Sequence, residues 1–217
     1  MWRNYISMIN GIAQKGLVIC GKLKWPYYVL LLFLFSCNDS SVDFEGEVRR
    51  GRDEQAFFLR NDPGSPFAGQ VEAVEGVSYF PADEKYRIQA HFERSVDVSR
   101  IEIPTSDGKK RPFREFGVAE FTLDGQVCRL TIYQSAEFGN MPAELFLGFT
   151  DQTTGEETYG AGRYLNVRLP TDDAILLDFN FAYNPYCAYS DKFSCPIPPR
   201  NNKLPVPVRA GEKNYKN

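Results

Sequence analysis

A mainly β fold is predicted for this chain: an antiparallel sandwich or partly closed barrel with an N-terminal helix and a Pro-rich C-terminal wrap. Three observations carry that expectation. Seventeen Phe and twelve Tyr stand against three Met, a balance that suits flat side chains on pleated surfaces. From Tyr86 onward short apolar–polar alternations recur at close spacing, with no helical period between them. Asp124-Gly125 lies between two such runs, and this dipeptide favours a two-residue hairpin because both turn positions need positive φ.

The elements follow in order. From Asp43 to Arg60, Phe44, Val48, Phe57, Phe58 and Leu59 form an apolar stripe among mixed charges, which suits a helix. Asn61-Asp62-Pro63-Gly64-Ser65-Pro66 breaks it. Val71 to Phe80 reads as one or two further helical turns before Pro81. Tyr86–Phe92 and Val98–Ile103 then alternate as strands, and Ser106-Asp107-Gly108 closes a hairpin. Phe113–Leu123 and Gln126–Tyr133 flank Asp124-Gly125. In the second of these, Cys128, Leu130 and Ile132 share one face and Arg129, Thr131 and Tyr133 the other. Leu145–Phe149, Tyr164–Leu169 and Ile175–Phe181 complete about seven strands. From Asn184 the chain is rich in Pro, which cannot donate to a ladder. This stretch is expected to wrap the surface as extended coil, with Val206 and Val208 as a possible short edge strand.

The 217 residues suffice for one domain with a core. The formal charge of −3 joins two unlike parts. Residues 1–37 hold Arg3, Lys15, Lys22 and Lys24 and no acid, leaving 21 basic and 28 acidic residues beyond them. An acidic domain is a poor partner for nucleic acid, where phosphate neutralisation dominates affinity. No nucleic-acid role is expected.

The first 37 residues read as an address. Lys22 and Lys24 precede an apolar run from Trp25 to Phe35, too short for a mature span of about 20 residues but suited to a secretory signal. Leu34-Phe35-Ser36-Cys37 resembles the lipobox of bacterial lipoproteins, which implies cleavage before Cys37 and acylation of its thiol. Two or three acyl chains make a durable membrane anchor. An uncleaved hydrophobic anchor is the rival reading. Residues 38–42 are then a polar tether, and 43–217 a single β-rich domain facing the periplasm or the cell exterior.

Three later segments are distinctive as blocks. Phe149 to Leu165 carries Asp151, Thr154, Gly155, Glu157, Tyr159, Gly160, Gly162 and Arg163. Asp178 to Tyr189 carries Asn180, Tyr183, Asn184, Pro185 and Cys187. The third joins Cys195-Pro196 and Asn201 to Ala210-Gly211-Glu212. Together they resemble the bacterial and archaeal family catalogued as domain of unknown function 1684. That resemblance implies a shared domain and no mechanism.

The residues themselves offer one candidate ligand site. Period two along Ile175–Phe181 puts Leu177, Phe179 and Phe181 inward, and Asp178 and Asn180 together on the opposite face. With Arg163 from a neighbouring strand and Tyr183 as a wall, these form a polar patch for a small ligand. The opposing reading is a buried network that joins the sheet to the tail. Cys187 and Cys195 suit a disulfide that closes a turn-rich loop. Free thiols and a metal site are the alternatives, and no metal or cofactor is expected, since zinc usually takes three or four protein ligands. His91 lies in an alternating strand, where a lone histidine is more often exposed than catalytic. A faint echo of the zinc-deaminase signature in His91-Phe92-Glu93 fails, because Pro must directly precede Cys and the cysteine gap is too wide. No nucleophile elbow, phosphate loop or dinucleotide fingerprint occurs. The leading expectation is a non-enzymatic binding or accessory module of the envelope for a polar ligand. A hydrolase using Glu157 and Asp178 is the alternative, and a purely structural protein the third. Whether the chain is an enzyme is left open.

Overall fold

Asp43 starts the fold. In the computed structural model, which describes residues 43–97, 99–136 and 145–215, its carboxylate accepts the Gly46 N–H at 3.1 Å and caps helix α1, Phe44–Asn61. Glu45 and Glu47 in the first turn and Arg60 in the last complement the helix dipole. Val48 and Leu59 are buried as the stripe predicts, but Phe57 and Phe58 are exposed at 68% and 42%. Three consecutive apolar positions span too wide an arc for one buried face. Val71–Gly76 is a 3-10 turn. The expected signal, with Cys20, the lipidation candidate Cys37 and the expected tether lie outside the described residues.

Among the described residues eight strands follow: β1 Arg87–Arg94, β2 Arg100–Pro104, β3 Lys110–Leu123, β4 Gln126–Ser135, β5 Leu145–Phe146, β6 Gly148–Phe149, β7 Arg163–Tyr164 and β8 Ala174–Asp178. Their pairing is antiparallel throughout. The main sheet runs β5-β4-β3-β1-β8, with β2 also paired to β3. At the β3–β4 turn Asp124 and Gly125 have φ of 50° and 73°, as the hairpin reading requires. The sheet does not close, so the open, sandwich-like form of the two predicted architectures is the observed one.

Three expected strands are cut short. Leu145–Phe149 splits at Leu147, after which the chain leaves β4 to pair with β7. Tyr164–Leu169 keeps only its first residue in a strand, since Tyr164 bonds Tyr183 through both backbone groups. Ile175–Phe181 stops at Asp178, whose side chain accepts the Asn180 N–H at 3.1 Å and starts a 3-10 turn, Phe179–Phe181.

One sheet face supplies the core. Ala90 and Phe92, Ala119 and Phe121, Cys128, Leu130 and Ile132, and Ile175 and Leu177 alternate inward. Against them pack Leu147, Phe149, Leu165 and Phe179, together with the tail residues Leu204, Val206, Val208 and Ala210. The tail is extended and Pro-rich as predicted, yet it closes the core and does not merely wrap the surface. Neither Val206 nor Val208 joins a strand. Both are buried, because alternation persists even where Pro prevents a ladder. Asn202 ties this segment to β4. Its amide accepts the Thr131 N–H and donates to the Thr131 and Gly148 carbonyls, at 2.8 to 2.9 Å.

Candidate functional site

A polar cleft of about 530 Å³ opens between α1, the adjoining ends of β1 and β8, and the tail. The antiparallel register sets Arg87, the first residue of β1, opposite Asp178, the last of β8. Arg87 Nε donates to Asp178 Oδ2 at 2.6 Å and Nη1 to Glu47 Oε2 at 2.9 Å, while the guanidinium stacks on Phe44 at 4.6 Å. One side chain thereby fixes α1 to the sheet edge. The helix can lie close here because Gly51 faces Phe181; a Cβ at 51 would come within 2.5 Å of that ring.

Arg52, Tyr79 and Glu212 form the inner wall. Arg52 donates to the Phe80 and Asn180 carbonyls at 3.0 and 3.3 Å and lies 4.6 Å over the Tyr79 ring. Glu212 is held by backbone on both sides. Its N–H bonds Ala182 O at 2.8 Å, and Oε2 accepts the Asn184 N–H at 2.8 Å as well as the Tyr189 hydroxyl. Burial pushes the Glu212 carboxyl up to about 7, against the pull of these donors. Burial, then the Glu212 charge, raises the Tyr79 phenol too. Arg52 Nε and Glu212 Oε1 are buried with no hydrogen-bond partner among the described residues. Arg168, Asn166, Gln55 and Tyr183 complete the wetter rim.

The four sequence-predicted residues separate into two roles. Asp178 and Tyr183 line the cleft, and the Tyr183 hydroxyl donates to Asn166 Oδ1 at 2.9 Å. Asn180 does stand beside Asp178, with Nδ2 to Oδ1 at 2.9 Å, but within the 3-10 turn and wholly buried. Its amide also clasps the Asp83 backbone through both N–H and C=O. Arg163 is 1% exposed and does not line the cleft. Its guanidinium donates to the carbonyls of Val208, Ala210 and Glu212 and to Asp151. Every second carbonyl of an extended chain faces the same way, so one fork holds three of them. Arg163 therefore sits beneath the tail and fastens it.

The remaining candidates stand apart. Glu157 is bound by Arg209 at 2.8 to 3.0 Å on the outside of the domain, while Asp178 is bound by Arg87. The structure does not bring Glu157 into the Asp178 cleft. His91 is exposed on β1. Cys187 and Cys195, the expected disulfide pair, are brought together with their sulfurs unlinked in this structure. The loop is closed without a covalent link: Ser106 and Cys195 bond each other twice, and Ser194 bonds Asp107 at 2.7 Å. Among the described residues no group of three or more His, Cys, Asp or Glu side chains is placed to hold a metal ion.

Sequence reasoning missed Arg52, Tyr79, Arg87 and Glu212 as cleft residues. Arg52 carried no signal beyond its place on a charged helix. Glu212 had one: it follows Gly211, which has a φ of 74° and whose Cβ, if present, would lie 2.4 Å from Ala182 O. A glycine that must be glycine beside an acid marks a close backbone approach.

A family model described as "Protein of unknown function (DUF1684)" matches residues 72–213. The solution NMR structure of an uncharacterized protein from Haloarcula marismortui is similar to this chain, with a TM-score of 0.62 and 36% sequence identity over 79% of this chain and 95% of that one. No curated protein matches the chain.

Proposed function

The chain belongs to the DUF1684 family, whose description names no activity, and from the cleft we propose that it is a non-enzymatic binding or accessory module for a small polar ligand. One observation carries this reading. Arg52 and Glu212 line the same open cleft, and each keeps a buried side-chain atom without a hydrogen-bond partner. An unpaired buried polar group costs about 1–3 kcal/mol. Arg163 Nε and Asn184 Oδ1 are also unpaired among the described residues but lie away from the cleft, whereas Arg52 and Glu212 line it, where a ligand can supply the partner.

The lining chooses the ligand class. Three guanidinium groups, Arg52, Arg87 and Arg168, face four carboxyls, Glu47, Glu54, Asp178 and Glu212. Arg87 is already shared between Glu47 and Asp178. The near balance favours a zwitterion or a polyhydroxylated molecule over a strong anion. Asp178 and Tyr183 act in the cleft, and Arg163 and Asn180 hold its frame. Full-length protein is screened by thermal shift against saccharides, free amino acids and small dicarboxylates. A saccharide or amino acid should raise the melting temperature, and Arg168→Ala, an exposed rim change, should weaken its binding at least tenfold while leaving the unliganded protein as stable as before. No shift in either class, or an affinity indifferent to Arg168→Ala, sinks the reading.

We also propose that the module works at the cell envelope, tethered through an acylated Cys37. Support comes from the cationic flank, apolar run and small residue before Cys37. Intact-mass analysis of the membrane-extracted protein should show residues 1–36 removed and Cys37 acylated, whereas Cys37→Ser should keep residues 1–36 and carry no acyl mass; a wild-type chain that keeps those residues and carries no acyl group sinks this reading.

A further inference from the structure

Beyond Tyr183 the polar cleft continues into a second one of about 540 Å³, and Gln55, Asn166 and Tyr183 are walls of both. The helix makes them one groove. Glu47, Gly51, Gln55 and Phe58 recur at three- and four-residue spacing, so they share one face of α1. The first three line the polar cleft, and Gln55 and Phe58 the second. From Glu47 to Phe58 the helix rises about 16 Å, long enough for about three linked sugar rings.

The two arms of the groove differ in chemistry. Basic and acidic side chains mix in the polar arm. In the second, Arg111 is the one charged side chain among the described residues, and it donates to Ser194 O at 3.0 Å. Rings take the place of charge there: Phe58, Tyr164, Tyr183, Tyr186 and Phe193. Tyr164 meets Tyr183 edge to face at 5.9 Å between centroids, and Tyr186 meets Phe193 likewise at 5.2 Å, so the rings brace one another along the wall. Phe58 stays 42% exposed beside them.

We propose, on the reading that the polar cleft is a ligand site, that the groove binds a neutral oligosaccharide, with one sugar ring hydrogen-bonded in the polar arm and the next stacked in the aromatic arm. A sugar carries hydroxyls around its rim and C–H groups on its faces, so it suits both arms at once. In the polar arm the unpaired atoms are Arg52 Nε, a donor, and Glu212 Oε1. Every sugar hydroxyl both donates and accepts, so neighbouring hydroxyls can pair with these two whether Glu212 is protonated or ionised. An ammonium ligand would need the ionised form, which the burial of Glu212 disfavours. In the aromatic arm a sugar face covers ring carbons while its hydroxyls reach the amides of Gln55 and Asn166. A peptide would instead bring backbone N–H and C=O groups against ring carbons, which offer them no partner.

The test titrates full-length protein calorimetrically with two series, glucose to maltotriose and N-acetylglucosamine to its trimer, and with trialanine. In at least one series, affinity should rise about tenfold from the monosaccharide to the trisaccharide, the worth of a good ring contact. Phe58→Ala, a change at an exposed ring, should remove most of that rise and leave monosaccharide affinity within about twofold of wild type. Affinity indifferent to length in both series, a rise that survives Phe58→Ala, or trialanine as the tightest ligand would overturn the proposal. A monosaccharide whose binding depends on Arg168 but does not tighten with length sinks this extension alone. No response to any saccharide or amino acid sinks the reading beneath it as well. The length series is read on wild type, so a misfolded variant cannot decide it.

Discussion

Arg163 Nη2 and Asp151 Oδ2 lie 3.0 Å apart, and neither side chain has any exposed surface. Each is also a hub. Asp151 Oδ1 accepts from the Thr153 N–H and hydroxyl and from the Val208 N–H, while Arg163 serves the three tail carbonyls. Removing one partner of such a pair strands a buried charge, at about 3–5 kcal/mol. Arg163→Ala should lower the urea midpoint accordingly. Arg163→Lys should recover little, because an ammonium lacks the planar fork. A variant that stays as stable as wild type would show that the tail is held by its apolar residues alone.

That network explains why the sequence revealed the sheet better than the site. Alternation along β1, β3 and β4 is a local signal, and the Asp124-Gly125 turn is equally local. The 3-10 turn at Phe179 has no periodic signature, because it depends on the Asp178 carboxylate reaching the Asn180 N–H. A polar cluster from one strand and the one before it suggested a binding patch. Only tertiary packing could show that the tail lies across Arg163 and leaves Asp178 open. The cleft's inner wall joins Arg52 of α1 to Glu212 of the tail, a pairing that no local pattern announces.

Arg87 and Asp178 offer a measurable link between α1 and the sheet. Both are partly shielded, with 26% and 11% of their side chains exposed. Arg87→Met and Asp178→Asn should each destabilise by about 1–2 kcal/mol, and the double variant by less than their sum. The coupling of about 1 kcal/mol is read from denaturation midpoints. Additive losses would mean that the contact does not act as a unit.

Gly211 should tolerate no side chain. Its φ of 74° disfavours any L residue, and the added Cβ would press on the Ala182 carbonyl, a backbone atom with little room to yield. Gly211→Ala is expected to cost about 2 kcal/mol or more, combining backbone strain with overpacking. Gly160→Ala is the control. Its Cβ would meet nothing closer than 3.9 Å, and its melting temperature should stay near that of wild type.

Glu212 predicts an unusual slope of stability against pH. Its carboxyl is raised to about 7 in the fold from an ordinary value of 4.5, with burial as the first cause. Between those two values the native state holds a proton that the unfolded chain has released. Stability from this group is therefore fully present below about pH 4.5 and is lost as pH rises through 7. Between pH 5 and 8 the loss is on the order of 2 kcal/mol. Other groups titrate in the same window, so the group's own share is the difference between wild type and Glu212→Gln, a neutral side chain of matching shape. Urea midpoints at pH 5, 6.5 and 8 should show wild type losing ground to the variant step by step. A constant difference would mean that Glu212 ionises as a solvated acid does, and that its place behind Tyr79 and Arg52 leaves its charge well compensated.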